Sequence, residues 1–189
     1  MRSIVLVTAV SSIKVLAGQQ IDVAICNLDN LSDAVISKAR SEAGIVYLSA
    51  GVRIVWHSCD PPHDSASRAS PHWFVVRFSN EKPSLPAGRT SLDIMGKAFI
   101  DGEQSGITAD AYFREILTVA GERCADAAVL LGFVIAHELG HLLLGPGHSP
   151  EGLMQAAWGE KQIEALRQRR LKFSPEDAER IHLALTGGG

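Results

Sequence analysis

The stretch DAAVLLGFVIAHELGHLLLGPGH, Asp126 to His148, decides how this chain is read. From Asp126 to Leu144 it is apolar almost throughout, keeps helical spacing and contains no proline, which predicts one long buried helix. Gly145-Pro146-Gly147 ends that helix, since neither residue type continues it readily. Inside it stand His137-Glu138-Leu139-Gly140-His141. Positions i and i+4 lie one turn apart on one helix face, with Cβ atoms about 5–6 Å apart. Two imidazoles there converge on one Zn²⁺ at Zn–N distances of about 2.0–2.1 Å. Glu138 is rotated by one helix step, poorly placed as a third ligand and well placed as general base toward a water on the metal. Such a metal lowers the pKa of water from ~15.7 to about 7 and polarises a carbonyl. Two histidines and an acid in so apolar a helix are costly to bury without partners, and a metal relieves that cost.

A catalytic zinc site takes three protein ligands and keeps one position open. His148 follows the Gly-Pro-Gly turn, which can swing the chain back to the metal, and Gly152-Leu153-Met154 offers a tight turn bearing a methionine. The segment HELGHLLLGPGHSPEGLM, His137 to Met154, resembles the metzincin clan of zinc endopeptidases, whose pattern is HExxHxxGxxH followed by a methionine turn beneath the metal. The resemblance implies His137, His141 and His148 as ligands of one zinc, Glu138 as base and Met154 as the floor of the site. One departure stands out: three residues, Leu142-Leu143-Leu144, separate the second histidine from the glycine where the pattern has two. An extra helical residue turns the exit by about 100°. Small predicted bacterial metallopeptidases with such extended, leucine-rich motifs are the group the segment resembles most. The same resemblance implies that Leu92 to Ile100 is the edge strand above the cleft that pairs with an extended substrate.

Two other readings start from the same helix. In a gluzincin-like site a glutamate on a later helix is the third ligand, with Glu160 and Glu164 as candidates. A non-catalytic zinc-binding regulatory module is the second, although a closed structural site would not need Glu138.

Around the motif the pattern predicts strands over Ile21–Cys26, Val52–Trp56, Trp73–Phe78 and Leu92–Ile100, the last weakened by Gly96 and suited to an edge. A helix is expected from Asn30 to Ser49, capped by Asn30 or Ser32, and Ala109 to Ala120 reads equally as short strand or helix. Residues 57 to 71 and 83 to 90 read as loop and turn. A helix from Glu160 to Leu171 precedes a last one capped by Ser174, with Pro175 first, acids following and Gly187 at its end. The expected architecture is one α+β domain: a mixed five-stranded sheet, an active-site helix and C-terminal helices.

With 189 residues the chain is long enough for a single core, and 46% hydrophobic with 21% charged residues is ordinary for a globular protein. A net charge of -3 gives no electrostatic footprint for nucleic acid or an anionic membrane, so a peptide or protein substrate is the expected partner. No membrane span is expected in the mature chain. Met1-Arg2, the apolar run Ile4–Val10 and the ending Val15-Leu16-Ala17 resemble a secretory signal over residues 1–17, interrupted by Lys14. That predicts export and a mature domain of residues 18–189; a first strand over Ile4–Thr8 and a cytoplasmic protein are the alternative. Cys26, Cys59 and Cys124 form no CxxC pair, which excludes a cysteine zinc site and leaves room for one disulfide of unspecified pairing. His57, His63 and His72 fall in or beside a polar loop, where a second metal site is the lesser reading, His182 on the last helix reads as structural, and Trp158 is expected to pack below the turn.

Overall fold

A computed structural model describes residues 19–59, 72–79, 95–100 and 106–187. The candidate signal peptide, His63, the 83–90 turn and residues 92–94 lie outside them. Five strands, β1 (Gln19–Asn27), β2 (Val52–Ser58), β3 (Trp73–Phe78), β4 (Gly96–Phe99) and β5 (Thr108–Ala111), form one sheet in the order β2-β1-β3-β5-β4. All neighbours run parallel except β4, which is antiparallel to β5 at the sheet edge. The helices are α1 (Asp33–Ser49), α2 (Phe113–Glu122), α3 (Ala127–Leu144), α4 (Glu160–Arg167) and α5 (Pro175–Thr186). The domain is thus α+β with a mixed five-stranded sheet, as the sequence predicts.

Side chains alternate across a strand, and the register turns that alternation into one buried face. Ile21, Val23 and Ile25 of β1 join Phe74, Val76 and Phe78 of β3 and Ala109 and Ala111 of β5 in the core. Val23 pairs with Phe74, Ile25 with Val76, and Val76 with Ala109, so the buried residues line up strand to strand. Against them pack α1 through Ile36, Ala39, Ala43 and Val46, and α3 through most of its length. By length and composition α3 is apolar enough to cross a membrane, yet 78% of it is buried inside this domain. It is the central core helix, which explains its apolarity all round.

Several boundaries differ from the pattern-based reading. Ser32, not Asn30, caps α1: its hydroxyl accepts from the Val35 N–H, while Asn30 sits in the left-handed region at φ 53°. Ala109–Ala120 is neither strand nor helix alone, because β5 ends at Ala111 and α2 begins at Phe113. The α4 helix stops at Arg167 instead of Leu171; Arg169 adopts φ 53° and turns its guanidinium to the buried Glu42 carboxylate at 2.9 Å. Cys26 and Cys59 are disulfide-bonded and Cys124 is free and exposed. Ile25 pairs with Ser58, so the two cysteines are the next step of the same register.

Asp126 sets the start of α3. Its carboxylate accepts from the Ala128 and Val129 N–H groups at 3.0 Å each and from Lys38 Nζ at 2.7 Å. The Lys38 hydrogen bond above all, then the backbone N–H of Val129, holds its pKa below the ordinary value. A depressed carboxylate stabilises above the unfolded pKa and loses that contribution as pH falls through the folded one. Asp126→Ala should therefore cost about 1 kcal/mol at pH 7, read as a Tm lower by roughly 2–4 °C. The difference should shrink below about pH 4, near the unperturbed carboxyl value; thermal denaturation at both pH values checks it.

Candidate active site

The His137–His141 pair sits where the third and fourth turns of α3 pass beneath β4. His137 Nδ1 donates to the Leu153 carbonyl at 2.8 Å, and His141 Nδ1 donates to the Gly145 carbonyl at 3.0 Å. A carbonyl can only accept, so both rings carry their proton on Nδ1 and present a bare lone pair at Nε2. The two Nε2 atoms face each other 3.0 Å apart. Two acceptors so close repel unless a cation lies between them. A tetrahedral ion at 2.0–2.1 Å from each nitrogen would hold them about 3.3 Å apart. The donor set therefore fits zinc.

The chain past α3 brings in a third imidazole. Gly145, at φ 89°, ends the helix with its N–H donating to the His141 carbonyl. The extra leucine of the motif is accommodated as continued helix, and the Gly145 carbonyl ends beside His141 Nδ1. His148 then lies with its ring centroid 4.7 Å from that of His141 and 5.6 Å from that of His137. One ligand atom from each of the three histidines falls within 4.8 Å of the others. The structure thus brings together the three histidines singled out in the sequence.

Glu138 is 7% exposed and lies directly under β4. A Cβ on Gly96 would stand 2.7 Å from its Cγ and Oε1, so the strand can approach only as glycine. Its carboxylate accepts a backbone hydrogen bond from Ala98. Tyr112 N–H donates to the Met95 carbonyl, which fixes the alternation of the ladder. The main-chain groups of Met95, Lys97 and Phe99 face β5, whereas those of Gly96 and Ala98 face away from it. Burial pushes the Glu138 carboxyl up to about 8 and the His137 imidazole down to about 4, and lowers His141 as well. The imidazoles are thereby kept as neutral free bases near pH 7, the form that binds a metal.

Met154 is 1% exposed and packs against α3 at Gly140. A Cβ on Gly140 would come within 2.5 Å of its Sδ, so the glycine inside the motif makes room for the methionine. Trp158 Nε1 shares the Leu153 carbonyl with His137, at 3.1 Å, and its ring stands edge-on to that histidine at 5.7 Å. It is a packing residue of the turn, as expected.

The other candidates lie elsewhere. Glu164 is exposed and paired with Arg167 at 2.9 Å and with Gln168, and Glu160 is paired with Arg123. Neither is among the groups that could hold a metal in the described residues. His57 binds Asp22 at 2.7 Å, His72 Nε2 meets the Leu185 carbonyl at 3.1 Å, and His182 packs against Gly51.

Among solved structures the chain is similar to the crystal structure of archaemetzincin from Methanopyrus kandleri, with a TM-score of 0.55 over 91% of this chain and 99% of that one. The two sequences are 15% identical, so the likeness establishes a shared fold. No protein-family profile and no curated protein sequence matches the chain.

Proposed function

We propose that this protein is a zinc-dependent peptidase of the metzincin type, hydrolysing peptide bonds with a metal-activated water. The observation that carries this reading is the pair of imidazole lone pairs facing each other 3.0 Å apart, with His148 alongside. His137, His141 and His148 would hold one zinc, which when bound supplies a Lewis acid and a water of lowered pKa. The rest falls to the chain's own residues. The Leu153 and Gly145 carbonyls fix the tautomer and aim of two imidazoles. A metal bound beside Glu138 would favour its charged form against the effect of burial, and the carboxylate then takes the proton of the attacking water and returns it to the leaving amine. Ala98 holds the Glu138 carboxylate in place through its backbone. An extended peptide or protein substrate would pair with the β4 main-chain groups that face away from β5, apart from the Ala98 N–H that serves Glu138. Met154 closes the floor of the site.

Glu160 and Glu164 are held in ion pairs away from the histidines, which favours His148 over the gluzincin-like alternative. The purified protein should bind about one zinc per chain and cleave members of a mixed peptide library, with cleavage abolished by a chelator and restored by zinc. Zinc binding with no turnover of any peptide would replace the enzyme with a regulatory zinc-binding module.

We propose further that the protein is exported. The Cys26–Cys59 disulfide supports this, because such bonds persist in oxidising compartments. Expressed with its native start, the protein should be recovered from periplasm or medium beginning near Gly18. Intact mass of the recovered chain is the measurement; a full-length chain confined to the cytoplasm would remove the export reading and leave the chemistry untouched.

A further inference from the structure

Asp177 is 1% exposed, in the first turn of α5, far along the chain from the histidine motif. One of its carboxylate oxygens has an ordinary duty. Ser174, the N-cap of α5, accepts from the Asp177 N–H at 3.1 Å, and its hydroxyl donates to Asp177 Oδ2 at 2.9 Å. That reciprocal cap resembles a capping box and does not require burial. The other oxygen, Oδ1, reaches out of the helix. It accepts from the Ser149 hydroxyl at 2.6 Å and from Arg180 at 3.4 Å. Arg180 in turn donates to the carbonyl of Leu144, the last residue of α3.

Ser149 is the residue after His148. Its N–H donates to the Met154 carbonyl at 2.9 Å, so both its main chain and its side chain are anchored. On the other side of His148, a Cβ on Gly147 would meet nothing within 4 Å. Two further ties join the same loop to the approach of α5. Leu153 N–H donates to the Lys172 carbonyl at 2.8 Å, and Gly152 lies so close to Lys172 and Ser174 that a Cβ would stand 2.9 Å from each backbone. A buried carboxylate is costly unless its oxygens are satisfied; here one partner, Ser149, adjoins His148, and another, Arg180, also reaches the Leu144 carbonyl just before the turn that leads to His148.

We propose that Asp177 is the positioning residue for His148: through the Ser149 hydroxyl it fixes the third imidazole against the last helix and so sets how tightly the site holds its metal. This rests on the reading of His148 as a zinc ligand. Groups that orient a metal ligand are worth about 10–100-fold in metal affinity.

The test measures zinc affinity by chelator competition, the visible absorption spectrum of the cobalt-loaded protein, and the Tm of the metal-free protein. Ser149→Ala removes the link and leaves the α5 cap, so it should weaken zinc by roughly 10-fold or more, alter the cobalt spectrum and change Tm little. Asp177→Ala should weaken zinc similarly and also lower Tm, and Asp177→Asn, which keeps an acceptor oxygen, should recover much of the affinity. Ser174→Ala removes only the cap and should lower Tm with zinc affinity within a few-fold. If Ser149→Ala kept the wild-type affinity and spectrum while His148→Ala lost both, the positioning role would be wrong and the ligand assignment would stand. If His148→Ala itself changed neither, the ligand assignment would fall and this role with it.

Discussion

Glu138→Gln should still bind about one zinc per chain and lose hydrolysis by on the order of 10²–10⁴-fold, the usual worth of a general base. The amide has nearly the shape of the carboxylate, and its oxygen can keep the backbone hydrogen bond from Ala98. It cannot take a proton from water. Zinc should remain because the three imidazoles that meet within 4.8 Å do not include this side chain as a donor. Burial already opposes the charged form of Glu138, pushing its pKa up to about 8, so a neutral replacement should not destabilise the metal-free fold. Zinc content, Tm and turnover on one preparation therefore separate a chemical role from a structural one. Cleavage at near the wild-type rate would remove Glu138 from the reaction.

The parts of this molecule that depend on local pattern were legible in the sequence. The α3 helix, its stop at Gly145 and the Ser174-Pro175 start of α5 follow from periodicity and capping chemistry. So does the convergence of His137 and His141, which needs only helical spacing. What was not legible depends on neighbours distant in sequence. Gly96 reads as a weak spot in a strand, and only the packing of β4 over Glu138 shows that a side chain there would collide with the carboxylate. Gly140 reads as an indifferent motif position, while in space it is the seat of Met154. The disulfide could not be chosen among three cysteines until the β1–β2 register put Cys26 and Cys59 one step beyond a paired Ile25 and Ser58. Tyr112 joins a strand to a helix without glycine or proline, so no local signal divides Ala109–Ala120. Asp177 looks like a first-turn acid of an amphipathic helix; its burial against Ser149 is a tertiary fact. The Ser-x-x-Asp of residues 174–177 predicts the cap but not the second oxygen's partner.

His148→Ala should lose zinc and activity together, whereas Glu164→Ala should keep both. The motif alone leaves the two open, because three leucines where the metzincin pattern has two residues turn the helix exit by about 100°. In this structure the extra residue is absorbed by α3, whose last turn carries the chain through Gly145 so that its carbonyl receives the His141 Nδ1 proton. The turn that follows delivers His148 to within 4.7 Å of the His141 ring. Glu164 faces solvent on α4, where Arg167 and Gln168 occupy its carboxylate and lower its pKa. An exposed ion pair of this kind is worth little, so its removal should leave the Tm almost unchanged. Loss of an imidazole ligand is different in kind: the remaining pair, His137 and His141, would face each other with one donor fewer to share the charge of the ion. Zinc should then fall well below one per chain on dialysis against a weak chelator, and peptide turnover should fall with it. The opposite pattern, zinc lost from Glu164→Ala and retained by His148→Ala, would move the third ligand to α4. It would also reduce Met154 to a core residue beneath Gly140, since its place in the site depends on the turn that begins at His148.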